Sequence, residues 1–201
     1  IAAKQSGKIA ARLANVAAGI AVEQVGAAVI QRDRLRQRLR ARRQPVENKL
    51  CDLTQAVKIS DVHRTNGKRI VFTNGCFDLL HVGHITYLHQ AAEFGDTLIV
   101  GLNSDHSVRR LKGEKRPLIG QRDRAAILAA LECVDLVIIF DEDDPLKLIG
   151  AVRPDVLVKG GDYKIEQMVG REIVESYGGL VITTSLVEGV STTQILEAAN
   201  T

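Results

Sequence analysis

Residues 69–84 read Arg69-Ile70-Val71-Phe72-Thr73-Asn74-Gly75-Cys76-Phe77-Asp78-Leu79-Leu80-His81-Val82-Gly83-His84. An apolar run of strand length, 69–73, gives way to a polar Asn-Gly turn, and a helical pattern opens at about 81 and runs to about 94. Strand, glycine turn and helix in that order begin a crossover unit. The alternation recurs outward from here. Strand-length runs fall at 97–102, 136–140, 155–159 and 180–184, with helical stretches at about 121–131, 145–152, 166–177 and 192–199. The strands are nearly continuous in Val, Ile and Leu, the mark of a parallel sheet covered on both faces. The pattern therefore predicts an α/β, doubly wound parallel sheet with helices on both sides.

Composition bounds what this sheet can do. The 201 residues are 45% apolar and 25% charged, enough for one ordinary domain with residues to spare. Residues 32–43 hold seven Arg and one Asp, a local +6, so the rest of a chain with net charge +3 carries −3. A mildly acidic body with 3% aromatics and no Trp argues against a nucleic-acid partner. Cys51, Cys76 and Cys133 form no CxxC pair, so a metal site is not expected and a cytoplasmic location is. No stretch approaches the roughly 18 apolar residues of a membrane span. Composition changes near Pro45, from Ala-rich and then Arg-rich sequence to the strand–helix alternation, so two parts are expected, 1–45 and 46–201. The chain starts at Ile1 and is read as a piece of something longer.

In open α/β sheets ligands sit beyond the carboxyl ends of the strands, and the residues there are polar or glycine-rich. At the first such end, His81 and His84 lie about one helical turn apart with Gly83 between them, at a helix N-terminus. Orphan N–H groups, the helix dipole and a missing side chain make a phosphate-gripping corner, where His can stabilise developing charge. The plain alternative is a pair of surface or capping histidines. Zinc is a poorer reading, since no third ligand is evident. Near the C-terminus Gly189-Val190-Ser191-Thr192-Thr193-Gln194 makes a capping box that could equally hold phosphates. Between the two, Arg109 to Pro117 reads as a basic glycine-containing loop, either simply solvated or closing over a triphosphate, with Arg124 able to join it. The cluster Asp141–Asp144 reads as a turn and cap before Pro145; His63, His89 and His106 show no partner pattern.

Gly75-Cys76-Phe77-Asp78-Leu79-Leu80-His81-Val82-Gly83-His84 together with Glu188-Gly189-Val190-Ser191-Thr192-Thr193 resembles the paired signatures of the cytidylyltransferase-like nucleotidyltransferases, GxFDxxHxGH and xEGxSTT, on a Rossmann-like domain. Intervening stretches narrow the resemblance. Val100 to Asp105, Arg110-Leu111-Lys112-Gly113, Arg116-Pro117 and Leu157 to Tyr163 look like the heptose 1-phosphate adenylyltransferase branch. Leu13 to Gly19 and Val25-Gly26 are similar to the end of the ribokinase-like sugar kinase fused ahead of that branch, which makes 1–45 a kinase remnant with an Arg-rich connector.

The resemblance implies attack by a sugar 1-phosphate on the α-phosphorus of ATP, giving ADP-heptose and pyrophosphate for lipopolysaccharide core synthesis. It implies His81, His84 and Lys112 as catalytic residues. Nucleotide contacts would come from Gly75, Phe77, Asp78, Gly83, Arg124, Lys159, Gly160, Asp162, Ser191, Thr192 and Thr193. Asn103, Asp105 and Lys115 would meet the sugar phosphate. Mg²⁺ would accompany ATP, and a homodimer is expected. One departure matters: glycerol-phosphate cytidylyltransferases place Arg two residues before the motif Glu, where this chain has Leu186, so that contact is either missing or supplied elsewhere, by Arg124 or Lys159. The alternatives are a cytidylyltransferase for another phosphorylated alcohol, such as glycerol 3-phosphate, and a non-catalytic nucleotide-binding module.

Overall fold

The computed structural model describes residues 46–161 and 165–184, with isolated positions before them at Ala14, Asn15, Ala17, Ala18, Ala21 and Ile30. The chain divides into two units, Ile1–Pro45 and Val46–Thr201, and the second carries the sheet. Its described elements are α1 Val46–Lys49, α2 Leu53–Thr65, β1 Ile70–Gly75, α3 Val82–Ala92, β2 Thr97–Asn103, α4 Asp105–Lys112, α5 Gln121–Ala130, β3 Leu136–Phe140, α6 Leu146–Val152, β4 Val156–Gly160, a 3₁₀ turn Ile165–Gln167, α7 Arg171–Ser176 and β5 Leu180–Thr184.

Five parallel strands lie in the order β3-β2-β1-β4-β5. The chain winds one way from β1 through β3, then returns to the other side of β1 for β4. The crevice outside the carboxyl ends of β1 and β4 is thus the topological switch point, where doubly wound sheets take their ligands. Alternation along each strand divides the core. Ile70, Phe72, Ile99, Ile138 and Leu157 pack under α2, α6 and α7, whereas Val71, Val100, Leu102 and Val158 pack under α3 and α5. Both faces are covered, which is why β2 is buried from end to end.

Local chemistry sets the element ends. Helix α2, absent from the expected pattern, begins with a reciprocal capping box: Asp52 accepts from the Gln55 amide at 2.7 Å, and Gln55 accepts from the Asp52 amide at 3.0 Å. Ser104 caps α4 by accepting from the Ser107 amide at 3.0 Å, so Arg109 to Lys112 stand on a helix and not on a loop. The single helix expected over 166–177 is instead a 3₁₀ turn and α7, divided by Gly170 at φ +91°. Asp144 does cap ahead of α6, accepting from the Leu146 amide at 3.0 Å, but the Asp141 carboxylate accepts from the Ser104 hydroxyl and the Asp143 carboxylate from Arg110. The outer edge of β3 is partly covered, because Leu50 forms a parallel bridge to Val137 and Lys49 donates to the Leu131 carbonyl at 2.9 Å.

Candidate nucleotide site

At the switch point β1 ends in Asn74 and Gly75, and the chain turns through Phe77, whose φ of +45° is unusual for a bulky residue. His81 then occupies the N-cap position of α3 in extended conformation. Its ring lies 3.8 Å from that of His84, the planes tilted by 33°. The His81 amide donates to His84 Nδ1 at 3.4 Å, which leaves the neutral ring's proton on His84 Nε2. The edge of Phe77 supports His84 at a centroid distance of 5.3 Å.

Burial, then His81, then Lys112 push the His84 imidazole down to about 4, against a weaker opposing contribution from the Leu79 backbone. Burial also lowers His81. Both rings are therefore neutral near pH 7, and each can offer an N–H to a phosphate oxygen. Two polar atoms here, Asn74 Oδ1 and His81 Nδ1, are buried without a hydrogen-bond partner among the described residues. Unsatisfied groups of this kind are costly and need a reason; a polar ligand supplies one.

Lys159, at the end of β4, reaches across to donate to the Asn74 carbonyl at 3.1 Å. Burial pushes its ammonium down to about 8, so near neutrality it remains mostly protonated beside the crevice. Gly160 follows for a packing reason: a Cβ there would sit 2.8 Å from the Tyr87 ring. Tyr87 is held by Thr73 and by the Val158 carbonyl, the latter at 3.0 Å. The expected nucleotide contact at Gly160 is thus accompanied by a requirement that has nothing to do with a ligand.

Lys112 ends α4 close enough to His84 to depress its basicity. Lys115 lies exposed in the following turn. Four residues expected at ligands have partners within the protein. Arg124 faces inward, its side chain 0% exposed, donating to the Ile119 carbonyl at 2.8 Å, the Asn103 carbonyl at 2.9 Å, the Cys76 carbonyl and Asp105 at 2.7 Å. With four of its five N–H donors in use, the guanidinium braces the strand ends. Asp78 is buried too, and it holds the segment around Leu118. Asn103, expected at the sugar phosphate, is buried with its amide donating to Ser107 at 3.0 Å, and its neighbour Asp105 is the partner of Arg124. Asp162, Ser191, Thr192 and Thr193 lie outside the described residues. Gly75 and Gly83 border the histidine corner, as half-buried positions at the end of β1 and in the first turn of α3.

Sequence reading gave His106 no partner, yet it sits between Arg110 and Asp141, an exposed network formed across α4 and the loop after β3. Nothing local marks such a pair; its members are separated by 35 positions. Among the described residues no group of three or more His, Cys, Asp or Glu could hold a metal ion, and no helix is long and apolar enough to cross a membrane.

A doubly wound sheet with paired imidazoles, a lysine and unpartnered polar atoms at its switch point defines a nucleotide-handling α/β enzyme. Residues 72–198 match the cytidylyltransferase-like family, and the chain belongs to it, as a nucleotidyltransferase. It is 56% identical over 192 residues to the bifunctional protein HldE of Geotalea uraniireducens, covering 96% of this chain and 39% of that protein. It is 57% identical over 187 residues to its namesake in Geobacter sulfurreducens, covering 93% and 38%. The chain therefore spans about two fifths of the length of these curated relatives. Among solved structures, a lipopolysaccharide core biosynthesis protein from Thermoplasma volcanium aligns with TM-score 0.51 and 31% identity over 62% of this chain and 100% of that one. A pantoate-β-alanine ligase from Francisella tularensis, at TM-score 0.52 and 17% identity over 75% and 76% of the two chains, shares the fold.

Proposed function

We propose that this chain transfers the adenylyl group of ATP to a heptose 1-phosphate. The observation that carries the reading is the stacked, neutral His81–His84 pair beside Lys112 and Lys159 at the carboxyl ends of β1 and β4. An oxygen of the sugar phosphate attacks the α-phosphorus of ATP. The new P–O bond forms as the bond to the α–β bridging oxygen breaks, and pyrophosphate leaves with that electron pair. No covalent intermediate on the protein is required. Transfer of this kind needs in-line positioning and charge neutralisation, and the site's donors suit both. His84 Nε2–H and His81 would bind the α-phosphate oxygens, while Lys112 and Lys159 offset charge that spreads onto them in the transition state.

Ser191, Thr192 and Thr193 remain assigned to the outer phosphates on the motif alone, and Asp162 to the base or ribose. Lys115 is assigned to the acceptor phosphate. ATP-dependent transferases of this type work with a divalent cation, which we take to be Mg²⁺. The described side chains do not form a cage for it, so it would arrive on the nucleotide phosphates. The heptose acceptor is supported by the motif resemblance in 157–163 and by the likeness to a lipopolysaccharide core biosynthesis protein. The same reading makes the chain cytoplasmic and homodimeric, with 1–45 the end of a fused sugar kinase, in keeping with relatives named bifunctional.

Pyrophosphate release measured with ATP or CTP against heptose 1-phosphate or glycerol 3-phosphate tests the reading directly. Release with ATP and the heptose alone is the expected outcome. Release with CTP and glycerol 3-phosphate would overturn base and acceptor together. Nucleotide binding without release from any pair would make this a non-catalytic module.

A further inference from the structure

Two fully buried ionic side chains meet on one short segment. Asp78 Oδ1 accepts from the backbone amides of Leu118 and Ile119 at 2.7 and 3.1 Å. Its other oxygen lies 2.5 Å from Arg116 Nε, an ion pair without the alignment of a hydrogen bond. From the opposite side Arg124 donates to the Ile119 carbonyl at 2.8 Å, and the same guanidinium holds the carbonyls of Cys76 and Asn103 at the ends of β1 and β2. Both polar groups of the Ile119 backbone are thereby gripped by buried side chains. The side chains of Asp78 and Arg124 are 1% and 0% exposed.

The other end of this segment is built differently. Gly113 closes α4 at φ +92° and ψ 164°, a conformation almost confined to glycine, and an added Cβ would meet nothing within 4 Å. From there to Lys115 every residue is exposed, and the Arg116 amide returns to the Gly113 carbonyl at 3.0 Å in a single turn. One end is clamped and the other turns on a glycine.

We infer that Asp78 and Arg124 are positioning residues which pin the exit of the basic segment, Leu118 and Ile119, to the turn that delivers His81 and His84, and so set where Lys112 stands relative to those histidines. Arg116 is consumed by the clamp and is not a phosphate ligand, which leaves Lys112 and Lys115 as the cations on either side of the Gly113 turn. The inference rests on reading His81, His84 and Lys112 as phosphate-facing groups. It names a role for Asp78 that acts through the loop and not through contact with nucleotide.

The test uses the whole chain and two readouts that need no turnover. Asp78→Ala removes both amide contacts and the ion pair; Asp78→Asn keeps an oxygen for the amides and loses only the charge. The first readout is the imidazole titration of His84 by NMR, with Lys112→Ala as the reference for complete removal of the lysine's influence. His84 faces His81, Phe77 and Lys112, so loss of the lysine's repulsion moves its titration upward. Asp78→Ala is expected to move it toward the Lys112→Ala value. The second is tryptic cleavage after Lys112 and Lys115, expected to accelerate by about tenfold in Asp78→Ala, the scale of one lost charge-assisted hydrogen bond when proteolysis follows local opening. Arg124→Lys, which cannot span all four acceptors, should act in the same direction. A folded Asp78→Ala chain with unchanged His84 titration and unchanged cleavage overturns the inference. Should that variant fail to fold, Asp78→Asn combined with Arg116→Gln decides: wild-type cleavage and titration in the neutral pair assign the clamp to the amide contacts, whereas wild-type behaviour in Asp78→Asn/Leu118→Pro, where one of those amides is gone as well, overturns it. Because neither readout uses heptose phosphate, failure of the proposed substrate leaves this test intact.

Discussion

The two ends of the sheet handle their polar groups in opposite ways. At the amino end, carboxylates close off strand beginnings: Asp155 accepts from the Ile70 amide at 2.7 Å, Asp96 from the Arg69 amide at 2.8 Å and Asp135 from the Leu98 amide at 2.8 Å. Each is contributed by the start of a neighbouring strand or the turn before it, so the same bonds tie the strands in register. At the carboxyl end Arg124 holds the carbonyls after β1 and at the end of β2, but groups in the crevice between β1 and β4 stay open. Asn74 Oδ1 and His81 Nδ1 are buried and unpartnered among the described residues, while His84 and Lys159 are held away from their usual titration ranges by burial. The crevice between β1 and β4 thus keeps polar groups open where these strand beginnings close them, in keeping with ligand binding at carboxyl ends in open α/β sheets.

That contrast can be broken most sharply at His84. Replacing it with Ala should lower kcat for pyrophosphate release by about 10²–10³, the loss typical of one preorganised donor to a developing oxyanion. Thermal denaturation should show little loss of stability; a folded variant with full turnover would end the assignment of chemistry to this end. Asp155→Ala is the converse case. It leaves the Ile70 amide without its acceptor and should cost about 1–3 kcal/mol in chemical denaturation, with kcat unchanged. Gly160→Ala lies at the carboxyl end yet should behave like an amino-end variant. Its Cβ would press on the Tyr87 ring, and overpacking of this kind costs about 1–3 kcal/mol.

Two pH effects sharpen the comparison further. Lys159 loses its proton near pH 8 in the free protein, so kcat/KM should decline above that pH, and Lys159→Arg should extend the plateau upward even if its maximum is lower. His84 titrates near 4 folded against an ordinary 6.5. Between those values the unfolded chain binds a proton that the folded chain does not, so stability falls as pH drops from about 6.5 to 4 and this contribution is gone below 4. His84→Gln should flatten that part of the stability profile, a smaller change measured by denaturant titration at several pH values.

Much of this architecture is legible in the sequence because parallel strands buried on both faces leave an unbroken apolar trace. β3 and β5 match the expected runs residue for residue, and β1, β2 and β4 differ by one or two residues at their ends. The histidine corner is legible for the same reason, since its members lie three positions apart on one helix start. Helix α2 was signalled by Asp52 and Gln55, a capping-box spacing, but its charged, weakly patterned body hid it. Helix α4 was obscured by the charge density that made Arg109 to Lys112 look like a solvated loop. The inward roles of Arg124 and Asp78 were beyond local reading. Their partners Cys76 and Leu118 are 48 and 40 positions away, and a buried arginine resembles an exposed one until the chain is folded.

The short bridge between Leu50 and Val137 has a consequence for synthesis. Leu50 belongs to the opening segment of the second unit, yet its partner strand lies at the far edge of the sheet, and Cys51 bonds to the Val137 carbonyl across 86 positions. At translation rates of about 5–20 residues per second, that partner leaves the ribosome on the order of ten seconds later. Over that interval α1 and its flanking residues wait without their sheet. Once made, β3 has an edge on which a copy from a neighbouring ribosome could compete, and the tethered Leu50 segment, present at high local concentration, is the strand that occupies it first.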